Sequence, residues 1–363
     1  MGDRVPKDGH VPDWVPTLQA LLTLELSGKW PEDLNALRRI KSSFLTSVCK
    51  CLRGMGVSAS LSIDSVKVLK DGFVFELKIA HPRELALMKR EDAENDDDDE
   101  DETSLDSRQS VSAAFQRRHF ALPHIASVIN GLNAQYPAFG PTCRLLKRWV
   151  ASQLLIDFFP DDGVALELIV AYSFLHPHPF AAAAAVNPQS GFLRVLRLLS
   201  TWNWKLTPMI VNFNEEFTAK DYREKHRELT SLRRQQIERF TPTSTPALFI
   251  VTPYDKTPSE WTINGPPLLI SSRLVAVARA SLQLIVDSLG DISTSHSAVL
   301  SSFRPPLDGF NAVIHLRKNL LPTRCWSVDS MDAPESLTTH LKARSKGLMP
   351  VNGFDPARRL IEV

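Results

Sequence analysis

The sequence predicts an α/β segment joined to an all-helical one, with a helix and a single strand signal toward the C-terminal end. Three observations carry this. Strand and helix signals alternate up to about residue 80. Apolar residues recur only at helical spacing from Tyr136 to about Pro208. A strand signal returns at Ala312 to Leu316, after a helix from Arg273 to Leu289. A chain of 363 residues is also too long for one core. The expected division is 1–110, 111–270 and 271–363.

Leu21 to Leu26 reads as a short buried strand closed by Ser27-Gly28. Pro31-Glu32-Asp33 then opens a helix, since proline suits a first turn and acids favour the positive end of the helix dipole. Leu34, Leu37, Ile40, Phe44, Leu45 and Val48 give that helix an apolar face. Ala59 to Leu69 and Gly72 to Ala80 read as two strands joined by Lys70-Asp71. In the second, Phe73, Phe75, Leu77 and Ile79 alternate with Val74, Glu76 and Lys78.

Glu91 to Glu102 follows, with ten acidic residues among twelve, and reads as a solvated, disordered loop. Ser112 to Gln135 is helical, with Pro123 placed to kink or split it. Tyr136 to about Pro208 reads as helices throughout. The first is capped by Thr142 and runs to about Phe159. A second starts at Asp161-Asp162 and ends at His176-Pro-His-Pro179, and a third spans Phe192 to Trp202. Lys220 to Phe240 is a charged helix, followed by a strand at Ala247 to Val251. No internal repeat is visible.

The formal charge of +1 conceals an asymmetry, because without the ten acidic residues of the tract the remainder stands at +11. A basic folded part favours a polyanionic partner. The longest apolar run, Val164 to Leu175, contains Glu167 and is too short for a bilayer, so no membrane partner is expected. Met1 to Pro16 is polar and reads as no signal peptide. Four cysteines, Cys49, Cys51, Cys143 and Cys325, make no disulfide framework and point to a reducing compartment.

Catalytic patterns are mostly absent. No Gly-x-Ser-x-Gly elbow, phosphate loop or Gly-x-Gly-x-x-Gly occurs. Neither Cys49-Lys-Cys51 nor His176-Pro-His178 has the further ligands a metal site needs. Nucleotidyl transfer would need fixed carboxylates around metal ions. Asp64 stands alone, Glu76 shares its strand face with Lys78, and the Asp-x-Asp matches between Asp96 and Asp101 lie in the acidic tract. The reading is therefore a protein without a catalytic site, metal or cofactor. Positive signals are basic. Arg144, Lys147 and Arg148 share a helix side opposite Leu145, Leu146, Trp149 and Val150, with no acid nearby in sequence. Arg223, Arg233 and Arg234 add a weaker set, since Glu224, Glu228 and Glu238 stand near enough to pair.

Several segments, in order, resemble the Nrap (nucleolar RNA-associated protein) family: Leu24-Glu-Leu-Ser-Gly-Lys-Trp-Pro31, Val68-Leu-Lys-Asp-Gly-Phe-Val-Phe75, Tyr136-Pro-Ala-Phe139 and Leu146-Lys-Arg-Trp149. Gly191-Phe-Leu-Arg194, Ile250-Val-Thr-Pro253, Phe303-Arg-Pro-Pro-Leu-Asp308 and Gly353-Phe-Asp-Pro356 continue it. The resemblance implies a partial nucleotidyltransferase-like α/β domain, a poly(A)-polymerase- and oligoadenylate-synthase-like helical domain and a C-terminal α/β module cut short after Gly353-Phe-Asp-Pro356. It also implies a non-catalytic scaffold of the small-subunit processome in the nucleolus of the nucleus. Pre-ribosomal or small nucleolar RNA and processome proteins would be its partners, and pre-rRNA processing and ribosome biogenesis its setting. The alternative is a template-independent nucleotidyltransferase whose catalytic acids lie outside this chain.

Overall fold

The computed structural model describes residues 17–24, 30–70, 73–96, 111–159, 163–178, 183–239, 247–255, 260–262, 264–289 and 292–305. The fold is α/β followed by α. The chain forms two compact units, divided between Phe120 and Ala121.

The first unit holds a four-stranded sheet of order β1-β4-β3-β2, built from β1 (Leu18–Thr23), β2 (Ser58–Leu61), β3 (Ser65–Lys70) and β4 (Phe73–Ala80). β1 runs parallel to β4, and β2, β3 and β4 are antiparallel. One face of β4 packs as expected: Ile79 is buried in a core with Leu45, Cys49, Val66 and Val68, and Phe75 and Leu77 pack on it, but Val74 and Lys78 of the opposite face are buried as well. Two strand expectations change. β1 begins three residues earlier than Leu21, because its pairing with β4 starts at Leu18 opposite Phe75. The single strand Ala59 to Leu69 is two, since the chain turns after Leu61 and Ser62 donates to the Ser65 carbonyl at 2.8 Å.

Helix α1 (Leu34–Gly54) buries Leu34, Leu37, Leu45 and Cys49, the last two in the core of the sheet. Asp33 caps it by accepting from the Ala36 amide at 2.6 Å. Ile40 and Phe44, expected on the same face, are exposed, because the buried row follows Leu37, Leu45 and Cys49. Helix α2 (Pro82–Asp96) carries buried Glu84, which meets Lys41 of α1 at 2.5 Å. α2 also corrects the acidic loop. Glu91 to Asp96 continue the helix, and Asp92 accepts from the Ser112 amide at the start of α3 (Val111–Gln116), at 3.1 Å. The rest of the tract lies outside the described residues.

A π-helical turn, Arg117–Ala121, separates α3 from α4 (Leu122–Gln135). Pro123 is the reason: it lacks an amide to donate and its ring crowds the carbonyl four residues back, so the split expected there occurs.

In the second unit α5 (Phe139–Ser152), α6 (Val164–Leu175) and α7 (Pro188–Thr201) form the core. Apart from Glu167, α6 is largely apolar and buried on nearly every side, the state expected of a central helix. α5 starts before Thr142, which is no cap but a buried residue whose hydroxyl donates to the Ala138 carbonyl at 2.8 Å. α5 also stops short of Phe159, where Leu154 takes a positive φ of 61°. The cap of α7 is Asn187, whose side chain accepts from the Ser190 amide at 2.8 Å.

β5 (Met209–Ile210) and β6 (Ile250–Val251) pair in parallel, and α8 (Ala219–Arg239) connects them. The strand expected over Ala247 to Val251 is thus a two-residue bridge. α9 (Leu268–Ser288), with Pro267 at its N-cap, begins earlier than the expected Arg273. It buries Leu274, Ala278 and Ile285 in the same core as α7, and Ser281 accepts from the Trp149 indole at 3.2 Å. By length and apolarity alone α9 reaches bilayer-crossing size, yet Arg279 donates from it to the Ser200 carbonyl at 3.2 Å. α10 (Ile292–Ser302) follows and packs on α9. Residues 271–304 therefore pack within the helical unit. The strand expected at Ala312 to Leu316, and Cys325, lie outside the described residues.

Candidate nucleic-acid interface and the acids of the sheet

Glu76 and Lys78 lie two residues apart on β4 and so share one sheet face. The Lys78 ammonium is 3.3 Å from Oε1 of Glu76 and 3.8 Å from Oδ2 of Asp64, at the β2–β3 turn. On the other side of Glu76, its register partner Gln19 donates to Oε2 at 2.6 Å and Thr17 donates at 3.2 Å. Burial alone would raise the Glu76 carboxyl. The hydrogen bond from Gln19 and the charge of the nearby Lys78 ammonium outweigh it and hold the group down at about 2.

A nucleotidyltransferase needs at least two rigid carboxylates turned toward a cation. Here both Glu76 oxygens already face donors, the Asp64 side chain is 72% exposed, and an ammonium stands between the two acids. These residues do not fit a metal pair. No group of three His, Cys, Asp or Glu side chains that could hold a metal ion occurs among the described residues. Cys49 and Cys143 are buried, and burial pushes the Cys143 thiol up to about 12, so it is no nucleophile at neutral pH.

The basic residues divide sharply. Leu146, Trp149 and Val150 anchor α5 in the core as expected, Leu145 packs against them, and Arg144 and Arg148 are exposed. Lys147 departs from expectation: Glu167 of α6 meets its ammonium at 2.6 Å. The acid absent from the local sequence comes from a neighbouring helix. On α8, Arg223 and Arg234 are exposed, but Arg233 is 3% exposed. Its guanidinium donates to the carbonyls of Lys205 and Ala247 at 3.2 and 3.3 Å and lies 5.4 Å from the Phe249 ring. It holds the β5–β6 region and cannot reach a nucleic acid.

A further basic arrangement lies on α8. Turns of about 100° per residue bring Lys220, Arg223, Arg227 and Arg234 into one sector of about 60° on α8. All four are exposed, with no carboxylate partner among the described residues, whereas Glu228 pairs with Lys225 at 3.1 Å. The spacing of Arg223, Arg227 and Arg234 was the available signal, masked by the acids interleaved with it.

Two family models match the chain. The Nrap protein nucleotidyltransferase domain 4 covers residues 3–134, and the Nrap protein PAP/OAS1-like domain 5 covers residues 136–304. Nucleolar protein 6 of Xenopus tropicalis is 36% identical over 354 residues, 96% of this chain and 29% of that protein. The Homo sapiens protein of the same name is 34% identical over 351 residues, again 96% and 29%. The Drosophila virilis one is 34% identical over 357 residues, 95% and 27%. The chain thus spans under a third of the length of these curated relatives. A crystal structure of mtPAP in complex with GTP superposes with a TM-score of 0.43 at 11% identity, over 80% of this chain and 61% of that one.

Proposed function

The chain belongs to the Nrap family, and from that premise we propose that it is a non-catalytic, RNA-associated scaffold of the nucleolus, acting in the small-subunit processome during pre-rRNA processing. Its partners are pre-ribosomal or small nucleolar RNA and processome proteins. The observation that carries the non-catalytic part is Lys78, whose ammonium stands between Glu76 and Asp64 on the sheet face where a transferase would hold a cation. An internal cation neutralises those acids permanently and leaves the fold as a platform. The RNA part is supported by the exposed cations of α5 and α8, which face solvent without carboxylate partners among the described residues.

One experiment tests both parts. The purified chain is incubated with an RNA primer, labelled nucleoside triphosphates and magnesium or manganese, then irradiated to crosslink bound RNA. The expected result is crosslinked RNA and no extended primer. Primer extension that disappears on Glu76→Gln substitution overturns the non-catalytic reading, and the absence of any crosslink overturns the RNA reading.

A further inference from the structure

One cavity of the helical unit is walled by rings. The end of α6 and the last turns of α7 enclose a pocket of about 170 Å³, lined by Tyr172, His176, Arg194 and Trp202, with Ser173 and Thr201 between them. Tyr172 organises it. The His176 ring stacks on it at 4.6 Å and 22°, and the Trp202 indole meets it edge-on at 5.1 Å and 73°. From α8, Tyr222 stands 6.3 Å from His176, and His226 stacks on Tyr222 at 6.4 Å. The walls are held in place: Trp202 donates to the Thr207 carbonyl at 3.0 Å, and Arg194 donates to the Ala183 carbonyl at 2.7 Å.

We infer that this pocket receives one unpaired nucleobase of a single-stranded RNA. Aromatic rings and an arginine plane are what single-stranded recognition uses, because every base offers a π-face and edges that hydrogen-bond. The cavity admits one ring system and excludes a base pair. Arg194 at the wall, with no carboxylate lining the pocket among the described residues, disfavours a cationic guest that an aromatic cage would otherwise take. Burial draws the His176 imidazole below its ordinary value, so it meets a base as a neutral ring. Continuity with the basic stripe adds a backbone path. Tyr222, which joins the cluster, is followed on α8 by exposed Arg223, the first arginine of the Arg223–Arg227–Arg234 row. The inference rests on the RNA-associated reading and adds the form of RNA bound.

The test compares the full chain with Thr201→Tyr, which fills the pocket from its exposed rim, and with His176→Ala. Each is titrated with a labelled single-stranded dodecamer, the duplex of the same sequence and a proline-rich dodecapeptide, and pocket crosslinks are mapped on the wild type. Expected are tighter binding of the single strand than of the duplex and a crosslink at Tyr172 or Trp202. A loss of about tenfold in single-strand affinity in both variants should accompany unchanged duplex binding. Variants that melt like wild type and bind the single strand equally well overturn the inference, while duplex binding keeps the RNA reading alive. RNA crosslinks confined to residues outside the pocket, or a pocket crosslink to the peptide alone, also overturn it. No binding to either RNA form defeats both readings.

Discussion

A methyl group at Gly191 would lie 2.5 Å from Oγ1 of Thr142, closer than packed atoms come. α7 therefore approaches α5 at a distance only glycine permits, and the buried Thr142 hydroxyl is fixed there by its bond to the Ala138 carbonyl. Gly191→Ala should destabilise the helical unit by about 1–3 kcal/mol, the usual cost of overpacking. Combining it with Thr142→Ala should cost less than the two single changes added together, because the clash disappears with the side chain. Urea unfolding of the four proteins checks both statements.

The Glu76–Lys78 pair fixes a direction for acid sensitivity in the α/β unit. The folded carboxyl sits at about 2 against an ordinary value of 4.5. A depressed carboxylate binds fewer protons folded than unfolded, so its contribution is complete above about 4.5 and is lost as pH falls towards 2. Lys78→Met should move the Glu76 titration upward and shift acid unfolding of this unit to higher pH. A carboxyl-resolved NMR titration of both proteins checks it, and an unmoved Glu76 titration in the variant would show that the Gln19 and Thr17 donors suffice.

Asp255 should behave oppositely in the helical unit. Burial pushes its carboxyl up to about 7, although Thr252 donates through its amide at 2.7 Å and through its hydroxyl, and the Trp261 indole donates at 2.5 Å. A raised carboxyl binds more protons folded than unfolded, so its contribution is complete below about 3.8 and lost as pH rises through about 7. Asp255→Asn cannot ionise and should flatten that decline. Hydrogen-exchange protection of the second unit, followed from pH 5 to 8 with correction for intrinsic exchange, checks the slope.

The local patterns of the sequence were legible where one element decides the outcome. One packed face of β4, the break at Pro123 and the buried side of α5 were all visible in residue spacing. Features set by a distant strand or helix were not. Helical periodicity puts Arg233 beside Arg234, and only the carbonyls of Lys205 and Ala247 make it a buried brace. In the same way Glu167, from the next helix, removes Lys147 from an otherwise open row. The β5–β6 bridge is two residues long on each side, too short for alternation to register. The aromatic pocket was missed because Tyr172, His176, Trp202 and Tyr222 come from three helices and no single-helix pattern unites them.

This division of the cations gives the last prediction. Arg223, Arg227 and Arg234 are exposed in one sector of α8, and Arg144 and Arg148 are exposed on α5. Each phosphate contact on a single strand contributes on the order of 0.7 log units to the salt dependence of binding. Replacing the three α8 arginines by Ala should therefore flatten that dependence by roughly two units, and replacing Arg144 and Arg148 by somewhat more than one. Neither set should alter the melting temperature, since none of these side chains is buried. Arg233→Ala should do the reverse. It removes donors from the Lys205 and Ala247 carbonyls and leaves a cavity beside Phe249, so it should lower the melting point of the helical unit while the salt slope of the folded fraction stays as in the wild type. RNA affinity across a salt series, paired with thermal unfolding of each variant, separates the two behaviours. If the α8 triple variant keeps the wild-type slope while remaining folded, that stripe carries no phosphate, and the α5 pair alone remains to account for RNA binding.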